Sequence, residues 1–149
     1  MEALNKNSVM ESTIDFRDKK AVGKLGEDIA CAFLKKNGFK VIGRNYMKKW
    51  GEIDIITVKD NALTFIEVKS AIEINSHIHG RRSPSALGGF RPEENVHFQK
   101  RRRLARTIQS YLAETRYGSQ KGFLFHIITV RMDIQTRRAH VNLMENIIL

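Results

Sequence analysis

Residues 51–70 read GEIDIITVKDNALTFIEVKS, and the fold is decided there. Two apolar, β-branched runs, Ile53 to Val58 and Leu63 to Val68, flank the polar Lys59-Asp60-Asn61-Ala62. Such runs bounded by turn residues predict two strands. Asp and Asn tolerate positive φ, which a tight hairpin loop requires. With Asp60-Asn61 as the loop, Lys59 faces Ala62 and Asp54 falls opposite Glu67. Side chains alternate along a strand, so Asp54, Ile56 and Val58 share a face with Leu63, Phe65, Glu67 and Lys69. Directly opposed residues have Cβ atoms about 4.5–5.5 Å apart, and like charges at that distance destabilise the pair. A divalent cation between the two carboxylates reverses the sign. Burying charge is costly unless the charge is paired or holds a metal. A hairpin that accepts three such residues is building a site.

The chemistry of that site can be read from its residue types. Asp54 is followed, after twelve intervening residues, by Glu67-Val68-Lys69. Two carboxylates suit Mg²⁺ (or Mn²⁺), a hard cation that takes oxygen ligands and keeps several waters. The Val68 carbonyl is a candidate third ligand. A metal so placed lowers the pKa of a bound water and offsets charge building on a phosphate oxygen. Lys69, on the same face as Glu67, is placed to stabilise that charge or position the water. The plainer reading is an edge hairpin whose Glu67 and Lys69 face solvent. Ile, Val and Phe on both faces of these strands speak for a central position instead.

Outward from the hairpin, residues 1–17 carry no sustained periodicity and are expected to form a flexible segment ahead of a single domain, 18–149. Val22, Leu25, Ile29, Ala32 and Phe33 recur at helical spacing from Asp18 onward, with Lys35 and Lys36 in the last turn and Asn37-Gly38 as a stop. Glu27 lies on the flank of that stripe and, by position alone, reads as a solvated helix residue. Phe39 to Ile42 predicts a short strand, Arg44 to Lys49 a basic connector, and Trp50-Gly51 a punctuation. Residues 73–93 hold glycines, prolines and serines without periodicity and predict a mobile basic loop. His77 and His79 within it form an HxH pair with no further His or Cys cluster to complete a metal site.

Glu93 to about Tyr117 predicts a second helix with an apolar stripe of Leu104, Ala105, Ile108, Tyr111 and Leu112. Its start reads Gln99-Lys100-Arg101-Arg102-Arg103, with Arg106 one turn on. Five cations in seven residues, with no acid among them, form a strong local field. Beside a two-acid site it predicts a phosphate-contacting surface. Phe123 to Val130 predicts a buried strand and Ala139 to Leu143 a last one, with Asn146 to Leu149 packing on the sheet. The order is α-β-β-β-α-β-(β), an α/β fold with a central mixed sheet flanked by helices.

Composition narrows the function classes. The 149 residues carry 26 Lys and Arg against 16 Asp and Glu, a net charge of +10. A strongly basic small domain meets a polyanion, and nucleic acid is the first candidate. Cys31 is the lone cysteine, which excludes an internal disulfide. The N-terminus has no apolar h-region, and the longest apolar run is too short to span a bilayer. The expectation is a cytoplasmic protein without a membrane role.

Three segments together carry a resemblance: GKLGEDIACAFLKKNGFKVIGRNY, GEIDIITVKDNALTFIEVKS and VHFQKRRRLARTIQSYL. From Gly23 to about Leu112 the chain resembles the YraN-like family of uncharacterised proteins, which has the restriction-endonuclease-like fold and is similar to archaeal Holliday junction resolvases. The resemblance implies an Mg²⁺-dependent endonuclease acting on DNA, with structured DNA as a candidate substrate. It implies Asp54, Glu67 and Glu27 as metal-binding and catalytic carboxylates and Lys69 as the catalytic lysine. Lys100, with Gln99, would be the basic position opening the second helix. Ile53 stands where many nucleases of this fold carry Pro, and residues 73–86 are longer than the family suggests. Folds of this kind often dimerise, but no interface stripe is visible. The competing reading is a nucleic-acid-binding protein that uses the same basic surface without cutting.

Overall fold

The computed structural model describes residues 14–73, 98–119 and 122–149. In chain order the elements are α1 (Lys19–Lys36), β1 (Lys40–Lys48), β2 (Gly51–Lys59), β3 (Ala62–Glu73), α2 (Phe98–Glu114), a 3₁₀ turn (Arg116–Ser119), β4 (Leu124–Asp133) and β5 (Arg138–Met144). The strands form one sheet in the order β1-β2-β3-β4-β5. β3 and β4 run parallel and the other neighbours antiparallel, so the sheet is mixed. A parallel pair needs a crossover, and α2 lies within the β3–β4 connection.

The hairpin adopts the predicted register. Lys59 pairs with Ala62 and Ile55 with Ile66. Asp60 and Asn61 have φ of +50° and +62°, as a two-residue primed turn demands. The ladder between β2 and β3 ends at Ile55–Ile66, although both strands continue past it. Asp54 and Glu67 are the next residues along.

The two sheet faces carry separate cores. On one, Val22, Leu25, Ala30, Cys31 and Leu34 of α1 pack with Phe39, Ile55, Ile66 and Ile128. On the other, Leu104 and Ile108 of α2 pack with Ile53, Ile56, Leu63, Phe65 and Ile127. Each fully buried Ile or Phe contributes roughly 1.5–3 kcal/mol. Asp18 caps α1, its Oδ1 accepting from the Lys20 N–H at 2.9 Å, and Gly38 exits with φ +83°.

Several boundaries differ from the sequence reading. The basic connector at Arg44–Lys49 is mostly strand, because β1 runs without interruption to Lys48. It is an edge strand, where charged side chains are tolerated and guard against stray pairing. Ala32 is exposed, and the inward face of α1 runs through Gly26, Ala30, Cys31 and Leu34 instead. The second helix ends at Glu114, ahead of the 3₁₀ turn. Ile14 and Phe16, placed in the loose N-terminal segment, pack against the α1 core. Glu73, expected to open the loop 73–93, instead closes β3, paired with Asp133 of β4. Residues 1–13, the rest of that loop with His77 and His79, and the expected helix start at 93–97 lie outside the described residues. At the other end, Ile147 and Leu149 pack on the α2 side, and the Ile147 N–H donates to the Phe125 carbonyl at 2.9 Å.

Candidate active site

The site forms where β2 and β3 leave their shared ladder. Beyond Ile55–Ile66 a side chain takes over the pairing: the Val68 N–H donates to Asp54 Oδ2 at 2.7 Å. The Asp54 carboxyl is thereby fixed across the gap between the strands. Glu67 is buried, at 9% exposure. Its Oε1 accepts from two ammonium groups, that of Lys69 at 2.7 Å and that of Lys100 on α2. The alternation that puts Phe65 against α2 also turns Glu67 and Lys69 to that side. The predicted acid pair and lysine are therefore brought together, and the helix start delivers Lys100 to them.

Glu27 arrives differently. A Cβ at Gly26 would lie 1.7 Å from Ser70 Oγ and 2.7 Å from its Cβ, so only glycine lets α1 rest on β3 there. Glu27, the next residue, is held by the Asn45 side-chain amide at 2.9 Å and by Arg44 at 3.6 Å. The same amide donates to Glu52 Oε1 at 3.2 Å. Asn45 has φ +50°, in a strand that already shifts register between Val41 and Gly43.

A cleft of about 910 Å³ opens over this region. Trp50, Gly51, Glu52 and Asp54 line one wall, Glu67 the floor, and Gln99, Lys100, Arg103 and Leu104 of α2 the other. Arg106 reaches its rim, with the guanidinium carbon 4.3 Å from the centre of the Trp50 ring. Arg101 and Arg102 are outside the cleft lining, as are Lys69, Val68 and Glu27. Trp50, Glu52 and Asn45 are the residues that the sequence reading passed over. Trp50 is the chain's single tryptophan and follows a basic run, the one signal in the sequence that sets it apart.

The electrostatics of the two acids diverge. Burial pushes the Asp54 carboxyl up to about 7, against the Val68 hydrogen bond, and the neighbouring Glu67, Glu27 and Glu52 add to the rise. Burial also disfavours ionised Glu67, but the hydrogen bonds from Lys100 and Lys69 outweigh it and hold the group below the usual carboxylate range. Lys100 is likewise opposed by burial, yet its contact with Glu67 raises it above an ordinary lysine. Glu67 is thus a charged, neutralised group. Asp54 is an uncompensated one, halfway to protonation near neutral pH.

The model of the uncharacterised protein family UPF0102 matches residues 26–136. The chain belongs to the UPF0102 family. This agrees with the resemblance to YraN-like proteins carried by the motifs. A UPF0102 protein of Alkaliphilus oremlandii is 33% identical over 128 residues, which cover 85% of this chain and 97% of the relative. One of Chloroherpeton thalassium is 34% identical over 119 residues, 80% and 81% of the two chains. One of Campylobacter jejuni is 35% identical over 112 residues, 75% and 85%. The UPF0102 match spans Glu27, Asp54, Glu67, Lys69 and the basic start of α2. The family is uncharacterised, so the chemistry rests on this chain's own residues. No helix among the described residues is long and apolar enough to cross a membrane.

Proposed function

We propose that this UPF0102 protein is a metal-dependent endonuclease that hydrolyses phosphodiester bonds in DNA. The observation that carries the reading is the cleft itself. It joins two carboxylates of different charge state, Asp54 and Glu67, to Lys100 and a basic helix start, and Lys69 meets the same Glu67 from outside the lining.

The donor set fits a hard divalent cation. Asp54, Glu67, Glu27 and the Val68 carbonyl offer only oxygen, the preference of Mg²⁺ and Mn²⁺. Asp54 is pushed toward protonation by burial and by like charges around it, and a cation would offset both. Among the described residues no three His, Cys, Asp or Glu side chains are already gathered as a metal cage. Open sites for Mg²⁺ use one or two carboxylates and leave the remaining positions to water and substrate phosphate. Bound there, the ion would supply a water of lowered pKa and charge compensation at the phosphate.

The chain's own residues would do the rest. Lys69 and Lys100, already converging on Glu67, present ammonium groups to the phosphate under attack and stabilise the charge it gains. Arg103 and Arg106 hold the flanking phosphates as sequence-independent contacts. Asn45 and Arg44 hold Glu27, whose charge is felt by Asp54.

The test is cleavage of flapped, branched and single-stranded DNA with Mg²⁺ or Mn²⁺. Glu67→Gln and Lys69→Ala should each lower the rate by at least about 100-fold, the scale of losing one preorganised charge contact. Variants that cut as fast as the unaltered protein would remove the assignment. A second reading has one observation in its favour: both ammonium groups already occupy Glu67 Oε1, which a metal would have to share. On that reading the protein binds nucleic acid without cutting. It is favoured by steeply salt-dependent binding together with no cleavage under either metal.

A further inference from the structure

The proposed nuclease reading leaves Trp50 without a task, although it forms part of the cleft wall with Asp54. Its placement is specific. A Cβ at Gly51 would lie 2.8 Å from Thr107 Oγ1 and 3.5 Å from the Arg103 carbonyl, so glycine is what lets α2 approach. The Thr107 hydroxyl cannot easily give way, because it donates to that same carbonyl at 2.8 Å. Trp50 is thereby pinned beside the basic turn of α2.

The indole pays no regard to its own polarity, since the buried Nε1 has no hydrogen-bond partner among the described residues. Hydrogen bonding therefore does not explain the position. What the position does provide is an aromatic face on the cleft, attended by two cations. The Arg106 guanidinium lies 4.3 Å from the ring centre and the Lys49 ammonium 5.5 Å. Both side chains are on exposed residues and can leave the ring for a phosphate. Trp50 stands four positions before Asp54, at most about 14 Å of extended chain. That distance is about four nucleotides of stacked strand.

Resting on the nuclease reading, we propose that Trp50 is a stacking platform for an unpaired nucleobase, with Arg106 and Lys49 moving from the ring to the phosphates on either side of that base. The site would then take DNA with an unpaired base within about four nucleotides of the scissile phosphate, such as a single strand, flap or fork, in preference to a continuous duplex. Aromatic rings stack on any base, which gives structure preference without sequence preference. A paired base within a duplex offers no free face.

The chain's only tryptophan supplies the readout. The full chain is titrated in EDTA, so that nothing is cut, with an oligothymidylate, a forked duplex, a blunt duplex and an abasic strand of equal length. Binding is followed by anisotropy of labelled DNA and stacking by Trp50 emission. The oligothymidylate and the fork should quench that emission, whereas the blunt duplex and the abasic strand should bind and leave it nearly unchanged. Trp50→Ala should reduce the preference for single strand over blunt duplex by roughly ten- to a hundredfold, with the salt slope retained. Trp50→Phe, which keeps a ring, should retain much of that preference. Equal quenching by all four probes, or an unchanged preference in Trp50→Ala, overturns the proposal. If Trp50→Ala does not fold, the emission of the unaltered protein decides alone. Salt-dependent binding with a silent Trp50 sinks this inference and leaves the nuclease reading standing. No binding by any probe sinks both.

Discussion

The Asp54 carboxyl is buried among like charges, and its proton affinity has a consequence for stability. Its folded value, about 7, lies above the ordinary 3.8. The folded protein therefore holds this proton more tightly than the unfolded chain. The favourable contribution is whole below about pH 4 and is lost as pH rises toward about 7. The rise corresponds to roughly 4 kcal/mol. Asp54→Asn keeps an acceptor for the Val68 N–H and removes the charge. The variant and the unaltered protein should be nearly equal in stability near pH 4, while the variant should be more stable by up to about 4 kcal/mol near pH 8. Denaturant melts at the two pH values check this, and a pH-independent difference would contradict it. Glu67 has the opposite sign: held low by its lysines, it loses its contribution as pH falls below the ordinary carboxylate range. At this scale Asp54, Glu67 and Lys69 were legible because strand alternation and a two-residue loop fix who faces whom. Glu27 was not, since its link to the site runs through Asn45, Arg44 and the approach of α1, none of which a helical wheel contains.

Two glycines set how the elements meet. Gly26 lets α1 rest on Ser70 of β3, and Gly51 lets α2 rest against the start of β2. In an ordinary helix Gly→Ala is favourable by about 1 kcal/mol. At Gly26 the new methyl would strike Ser70, and overpacking of this kind costs about 1–3 kcal/mol. Gly26→Ala should therefore destabilise the protein, and adding Ser70→Gly should recover most of the loss. A stable single variant would mean that α1 is not held so closely. The hairpin was readable because Asp60-Asn61 supplies the turn its strands need. The edge strand β1 was not, because Lys40, Arg44 and Lys48 mask its periodicity, and its backbone shifts register at Ile42. The close approaches at Gly26 and Gly51 are equally invisible in sequence, since they depend on what lies opposite.

Across the molecule the net charge is +10, and its densest cationic run, five cations in seven residues, stands where α2 begins, beside the carboxylates of the cleft. Binding through phosphate contacts should weaken with salt, by about 0.9 in log–log slope for each duplex phosphate engaged. Neutral replacements at Lys100, Arg103 and Arg106 together should lower that slope by up to about 3. An unchanged slope would place the nucleic-acid surface elsewhere. The basic run was plain in the sequence, but its division was not: Lys100 and Arg103 enter the cleft and Arg106 covers Trp50, whereas Arg101 and Arg102 stay outside the lining. Divalent metal should also raise the melting temperature more near pH 8 than near pH 5, where protons compete for Asp54.

That competition points to the most direct measurement, a crystal of the protein soaked in Mn²⁺ and examined for anomalous density. An Mn²⁺ peak bound by Asp54 and Glu67, with Lys69 or Lys100 drawn off Glu67 Oε1, is the predicted result. A soaked site without a peak, its two lysines still closed on Glu67, would contradict the claim that these carboxylates form a metal centre.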